Sequence, residues 1–271
     1  MSERYAVFGN PIAHSKSPQI HAAFARQTKQ DLCYEALLAP VDGFAIAVDA
    51  FRAEGGRGAN VTVPFKQVAY QYATQLTERA RLAQAVNTLQ FDAERVLGDN
   101  TDGAGLVQDI QENLDFGIAG KRVLLMGAGG AARGVLLPLL ACHPKSLTIA
   151  NRTLNKARDL AQHFASHGTV QACAYTGLAG FQFDLVINAT SSSLNDTLPP
   201  LPPHLFAPAA LAYDLMYGQG LTPFLAFAEQ QQAQFLADGL GMLVEQAAES
   251  FYLWRGVRPE TLPVIAQFRK T

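Results

Sequence analysis

The chain has 271 residues, of which 49 % are hydrophobic and 16 % charged, with a net charge of −2. It is long enough for two cores, too apolar for a disordered chain, and lacks the basic excess that nucleic-acid binding requires. Cys33, Cys142 and Cys173 fit neither a disulfide framework nor a zinc site. The N-terminus has no signal-peptide pattern, and the longest apolar run, VLLPLLAC, is too short to cross a bilayer, so a cytoplasmic protein without membrane, nucleic-acid or metal partners is expected.

RYAVFG reads as a first strand, followed by a helix with Ser17 as N-cap and Pro18 at its first position. CYEALLA reads as a second strand and VDGFAIAVDAFRAE as the next helix. GANVTVPF is a third strand in which Val61, Val63 and Phe65 alternate with Asn60, Thr62 and Lys66. That period of two predicts the valines inward and the polar residues on the opposite face. Two helical pieces fill 66–84, and VNTLQFD with RVLGD suggests a hairpin.

A second run starts at KRVLLMG, a strand whose apolar VLLM stretch enters a glycine turn, with a helix over 130–140. SLTIAN, FDLVINAT, ALAYDLMY and FLADG read as further strands, and LPPLPPH at 198–204 as a surface loop. MLVEQAAESFYLWRG and a segment from Pro259 are the last helices. On a helical wheel Leu243, Val244, Ala247, Ala248, Phe251 and Tyr252 share the buried side, and Gln246 borders it. Strand–helix alternation predicts an α/β fold of two domains with mostly parallel sheets and the active site in the cleft between them. The expected division is 1–102 plus 240–271 against 103–239.

Gly127-Ala128-Gly129-Gly130-Ala131-Ala132 matches the dinucleotide turn G-x-G-x-x-G/A, with an apolar strand before it and a helix after it. Such glycines let a pyrophosphate approach the backbone, and the helix N-terminus offers free N–H groups. The alternative is a tight turn that binds nothing. An NAD site would end the next strand with Asp or Glu. Here Asn151-Arg152-Thr153 follow, with Lys156 close behind, and a guanidinium can grip a 2′-phosphate that a carboxylate would repel. These residues favour NADP.

In the first half, Ser15 and Ser17 beside a helix start form a small anion cradle suited to a carboxylate, although capping alone also explains Ser17. Asn87 and Asp102 stand at strand ends. With Asn60, Thr62 and Lys66 they supply hydroxyl-binding groups and one amine–carboxylate pair, which suits a polyhydroxylated substrate with a carbonyl to reduce.

GNPIAHSKSP, GANVTVPFK, AVNTL, GDNTDG, GAGGAARG, NRT, INATS, YDLMY, TPFL and DGLGMLVEQA resemble, in order and along nearly the whole chain, the motifs of the shikimate dehydrogenase family. The resemblance implies a substrate-binding catalytic domain, an NADP-binding Rossmann domain, and reversible NADPH-dependent reduction of 3-dehydroshikimate to shikimate in aromatic amino-acid biosynthesis. By matched motif, Ser15 and Ser17 would hold the substrate carboxylate. Thr62, Lys66, Asn87, Asp102, Tyr217 and Gln246 would hold its hydroxyls, with Asn60 beside them. Lys66 would exchange the proton at the ketone oxygen, oriented by Asp102. Cofactor contacts would be Gly127, Ala128, Gly129, Gly130, Ala131, Asn151, Arg152, Thr153, Leu154, Asn155 and Lys156, with Thr190, Leu215 and Gly239 near the nicotinamide and Glu78 a further candidate. Ala132, Ser193 and Leu215 depart from the family's usual residues. A quinate/shikimate enzyme using NAD, or a non-catalytic nucleotide sensor, remains the alternative reading, and a monomer or homodimer fits either.

Overall fold

Strand β1, Glu3–Gly9, buries every residue from Tyr5 to Phe8, as a strand covered on both faces does. In this computed structural model, which describes residues 2–190, 192 and 197–270, the chain divides into two compact units. They are Met1–Gly105 with Leu243–Thr271, and Leu106–Met242.

The first unit continues through α1 (Ser17–Thr28), β2 (Leu32–Leu38), α2 (Phe44–Ala53), β3 (Gly56–Val61), α3 (Lys66–Tyr72), β4 (Gln75–Leu76), α4 (Glu78–Ala83), β5 (Thr88–Phe91) and β6 (Val96–Asp99). Its sheet runs β2-β1-β3-β5-β6-β4. β1 is parallel to β2 and β3, whereas the β5–β6 hairpin enters antiparallel to β3. One core packs Phe8, Phe44, Phe51, Phe65 and Leu89 together. A second joins Ile20 and Phe24 of α1 to Val244 and Phe251 of α9 (Leu240–Arg255) and Val264 of α10 (Leu262–Arg269).

The helix α5 (Asp102–Gln108) runs on into a wider π turn, Asp109–Asn113, and leads to the second unit. There β7 (Arg122–Met126), α6 (Gly130–Ala141), β8 (Ser146–Ala150), α7 (Leu154–His163), β9 (Val170–Cys173), β10 (Phe183–Asn188), β11 (Phe206–Asp214), α8 (Pro223–Gln230) and β12 (Phe235–Ala237) alternate. All six strands are parallel in the order β12-β11-β10-β7-β8-β9. This is the doubly wound order, whose direction reverses between β7 and β10, the place where such sheets bind nucleotides. Among the described residues no helix is long and apolar enough to cross a membrane.

Several local expectations need correction. β3 stops at Val61, and Val63 is 65 % exposed while Phe65 is buried. The Phe65 N–H donates to Thr62 O at 2.9 Å, closing a turn around the cis Val63–Pro64 bond, so the period of two is broken after Val61. Ser17 is the first helical residue, not the cap. Lys16 holds the cap position without a side-chain hydrogen bond, and the Ser15 hydroxyl accepts from the Ser17 N–H at 3.3 Å. Tyr252 is exposed, whereas Glu245 is buried under Arg258 and Thr261. β4, β9 and α8 are too short or too weakly patterned to be read from the sequence. Ser193 lies outside the described residues.

Candidate active site

In the first unit a lattice of amides and hydroxyls surrounds one ion pair. Lys66, the first residue of α3, donates from Nζ to Asp102 Oδ2 at 2.7 Å. Its side chain is 32 % exposed against 11 % for that of Asp102. Asn87 Nδ2 donates to Asp102 Oδ1 at 2.8 Å, to Thr101 Oγ1 at 2.9 Å and to Gln246 Oε1 at 3.2 Å. Asn87 Oδ1 accepts from the Thr101 N–H and from Thr88 Oγ1. The carboxylate therefore has one oxygen on the amine and one on an amide, which fixes its orientation and leaves the lysine partly open to solvent.

The lattice is held in place by β3, β5 and the loop after β6. Asn60 Nδ2 donates to Asn87 O, Thr88 Oγ1 and Ser250 Oγ, and Asn60 Oδ1 accepts from the Tyr34 hydroxyl at 2.7 Å. Asn60 is 6 % exposed, so its amide donors are spent on protein, with one Oδ1 lone pair left over. Thr62 follows β3 with its N–H on Phe8 O. Ser15 and Ser17 stand at the start of α1, and Gln246 Nε2 donates to Leu243 O on α9. Ser15, Ser17, Asn60, Thr62, Lys66, Asn87, Asp102 and Gln246 thus all belong to this unit, whereas Tyr217 belongs to the second one. Burial pushes the Tyr217 phenol above its ordinary range. Glu78 also falls in the first unit, exposed and paired only loosely with Arg81 at 4.0 Å.

Thr88, Thr101, Ser250 and Tyr34 complete the lattice, with His21 packed beside Tyr34, and all five were missed from the sequence. Thr88 and Thr101 are each the residue after, or one before, a recognised polar position, and Ser250 lies one helical turn beyond Gln246. His21, one turn after Ser17, is fully buried and stacked on Tyr34 with ring centroids 4.1 Å apart. Neither of its ring nitrogens has a hydrogen-bond partner among the described residues. Burial pushes the imidazole down from 6.5 to about 3, against a smaller opposing effect of Asn60. Between those values the unfolded chain takes up a proton that folded His21 refuses. Stability is therefore full above about pH 6.5 and falls as the pH drops, by up to about 1.4 kcal/mol per pH unit. Urea unfolding at pH 7 and pH 4.5 should show the wild type losing roughly 2 kcal/mol more than His21→Phe. Equal losses in the two proteins would remove His21 from the acid response.

In the second unit a cavity of about 590 Å³ is lined by Gly127, Ala128, Gly129, Asn151, Arg152, Tyr175, Ala189, Thr190, Ser192 and the segment Thr197–Pro200. Gly127 has φ +106°, and a Cβ there would sit 3.0 Å from Ala189 O, so the turn requires glycine. Gly129 caps α6 without a side-chain bond, which leaves the first N–H groups of the helix, from Gly130 and Ala131 on, for a ligand. Thr153, Leu154, Asn155 and Lys156 form the cap and first turn of α7. The Asn188–Asp214 pair, joined at 3.2 Å across β10 and β11, positions the residues that follow each strand: Asn188 Oδ1 accepts from Thr190 and Asp214 Oδ1 from the Met216 N–H. Leu215 and Gly239 meet at the backbone, since a Cβ on Gly239 would collide with Leu215 O. Neither lines the cavity. The turn, the uncapped helix and an unengaged guanidinium at the end of β8 together fit a dinucleotide with an extra phosphate.

Three family models match in sequence: the shikimate dehydrogenase substrate binding domain over residues 7–89, shikimate / quinate 5-dehydrogenase over 108–195, and the shikimate 5'-dehydrogenase C-terminal domain over 239–267. The shikimate dehydrogenase (NADP(+)) of Nitrosospira multiformis is 65 % identical, covering 100 % of this chain and 98 % of that one. Among solved structures, an Ael1 enzyme from Pseudomonas putida is 51 % identical, with TM-score 0.94 and 98 % of each chain covered. The shikimate 5-dehydrogenase of Thermus thermophilus in complex with NADP(H) and shikimate is 30 % identical, with TM-score 0.88 and 99 % of each chain covered. With matched segments in both units and a relative this similar over its full length, the chain belongs to the shikimate dehydrogenase family.

Proposed function

We propose that the chain catalyses the reversible, NADPH-dependent reduction of 3-dehydroshikimate to shikimate, with 1–102 plus 240–271 as the substrate-binding catalytic domain and 103–239 as the NADP-binding domain. The observation that carries this reading is the oriented Lys66–Asp102 pair, 2.7 Å apart, on a unit whose family match is a substrate binding domain. NADPH, when bound, supplies the hydride that reduces the ketone carbon. Negative charge then builds on the ketone oxygen, and Lys66 Nζ donates the proton that turns it into the alcohol; in the oxidative direction the same nitrogen takes the proton back. Asp102 holds that nitrogen in place and accepts from a substrate hydroxyl. Ser15 and Ser17 take the carboxylate, and Asn60, Thr62, Asn87, Tyr217 and Gln246 the hydroxyls. For Asn87 this means exchanging its longest contact, the 3.2 Å bond to Gln246.

Gly127, Ala128, Gly129, Gly130 and Ala131 hold the pyrophosphate, and the segment from Asn151 to Lys156 the 2′-phosphate, with Thr190, Leu215 and Gly239 towards the nicotinamide. Arg152 is the main determinant of NADP over NAD. Arg152→Ala should raise the KM for NADPH about tenfold or more while changing that for NADH little, as expected for one charge-assisted contact. Equal changes for both cofactors would refute the assignment. The activity itself is tested by absorbance at the reduced-nicotinamide band. Shikimate with NADP⁺ should give rapid reduction of the cofactor. Faster turnover of quinate with NAD⁺ would favour that alternative, and cofactor binding without turnover would favour a nucleotide sensor.

A further inference from the structure

Two polar side chains of the nucleotide cavity have no hydrogen-bond partner among the described residues: Arg152 and Tyr175. The others are engaged. Asn151 Nδ2 donates to Thr153 O at 2.9 Å, Thr190 Oγ1 to Asn188 Oδ1 at 2.7 Å, and Thr197 Oγ1 to Ser192 O at 3.0 Å; the Ser192 hydroxyl bonds Thr190. Tyr175 is 6 % exposed, and its ring belongs to the core that includes Leu178, Phe183 and Leu124. A buried tyrosine ordinarily finds a partner for its hydroxyl. His21 alone carries sealed, unpaired side-chain nitrogen or oxygen among the described residues. The Tyr175 oxygen therefore opens onto space, and the space this residue lines is the nucleotide cavity.

Register explains why it points there. Ala150 at the end of β8 pairs with Cys173 at the end of β9, and the Asn151 N–H donates to Cys173 O at 3.2 Å. Arg152 and Tyr175 each stand two residues beyond that pair, on neighbouring strand ends at the side of a parallel sheet where ligands bind. The same cavity is also lined by Leu198, Pro199 and Pro200, apolar surface that suits a flat aromatic base better than a phosphate dianion. We propose that Tyr175 is an adenine-binding residue of the cofactor site, its hydroxyl donating a hydrogen bond to a ring nitrogen of the base, with Leu198, Pro199 and Pro200 as the apolar wall. The inference rests on the reading of this cavity as the NADP site. Burial pushes the Tyr175 phenol up to about 12, with Arg152 opposing, so the group stays a donor over the whole working range of pH.

The test uses Tyr175→Phe, which removes only the oxygen, in the intact protein. Calorimetry with NADPH and with adenosine 2′,5′-bisphosphate, and kcat/KM with NADPH and NADH, are compared with the wild type. All four should fall about three- to tenfold, the worth of one net hydrogen bond. The KM for shikimate, kcat at saturating NADPH and the melting temperature should not move. Unchanged cofactor affinity would overturn the proposal, and so would a loss confined to ligands with the 2′-phosphate, which would place the hydroxyl on that phosphate. A joint change in melting temperature and shikimate KM would reduce Tyr175 to a structural residue. If the wild-type protein failed to bind adenosine 2′,5′-bisphosphate, the reading of the cavity itself would fall.

Discussion

Lys66→Met should lower kcat by about 10²–10⁴-fold, the range of a positioned acid–base group, while the KM for shikimate changes by less than about threefold. The reasoning is geometric. Lys66 Nζ is fixed by a single 2.7 Å bond to Asp102, whose other oxygen is held by Asn87 at 2.8 Å. The amine thus keeps two of its three N–H donors for a ligand, and among the described residues no second lysine or histidine stands in the lattice to replace it, His21 being sealed in the core. Methionine keeps the length and the packing of the stem and removes the proton. Steady-state rates in both directions, with the melting temperature as a control for folding, measure the effect. A variant with near-normal kcat would take Lys66 out of the chemistry.

Arg79→Leu should destabilise the protein by about 3–5 kcal/mol, the cost of leaving a buried charge without its partner. Asp99 is 1 % exposed and accepts from Arg79 Nε at 2.7 Å and Nη2 at 2.5 Å, while Arg79 Nη1 reaches Glu249 at 3.0 Å. Burial pushes the Asp99 carboxyl up, but Arg79, Thr77 and the Asn100 N–H together hold it below its ordinary 3.8. As the pH falls the unfolded chain therefore binds this proton first. The pair's contribution is full above about pH 4 and is lost as the pH drops through the lower folded value. Urea midpoints at pH 7 give the magnitude, and Arg79→Leu combined with Asp99→Asn should recover part of the loss. A shift below about 1 kcal/mol at pH 7 would show that the pair is dispensable. The prediction bears on function because the Asp99 carbonyl accepts from the Asn87 N–H at 3.0 Å. Loosening Asp99 loosens the amide that orients Asp102.

GDNTDG illustrates both the reach and the limit of sequence reading. Its Asp102 stands out as a candidate because a carboxylate at a strand end needs a reason. Asp99 does not, because its reason is Arg79, twenty residues away in sequence. Asn60 shows the same limit. Alternation placed it on the polar face of a strand, but that face turns out to be packed against Ser250 of a helix 190 residues later, so its donors serve the protein. Val63 failed because a turn replaced the strand after Val61, and local alternation carries no signal for where hydrogen bonding to a neighbour stops.

The amino-acid sequence by itself determined the local chemistry: the glycine turn that only small residues allow, the absence of a carboxylate after SLTIA, where Arg152 stands instead, and the order of the longer strands and helices. These depend on residues adjacent in the chain or one turn apart. The tertiary structure alone decided which groups are already spent and which remain open. Lys66 and Asp102 meet at 2.7 Å, His21 is sealed without a hydrogen-bond partner among the described residues, and Tyr175 is buried yet lines the cavity. Burial and hydrogen-bond satisfaction arise from contacts between distant segments, so they are fixed only when the sheets and helices have packed.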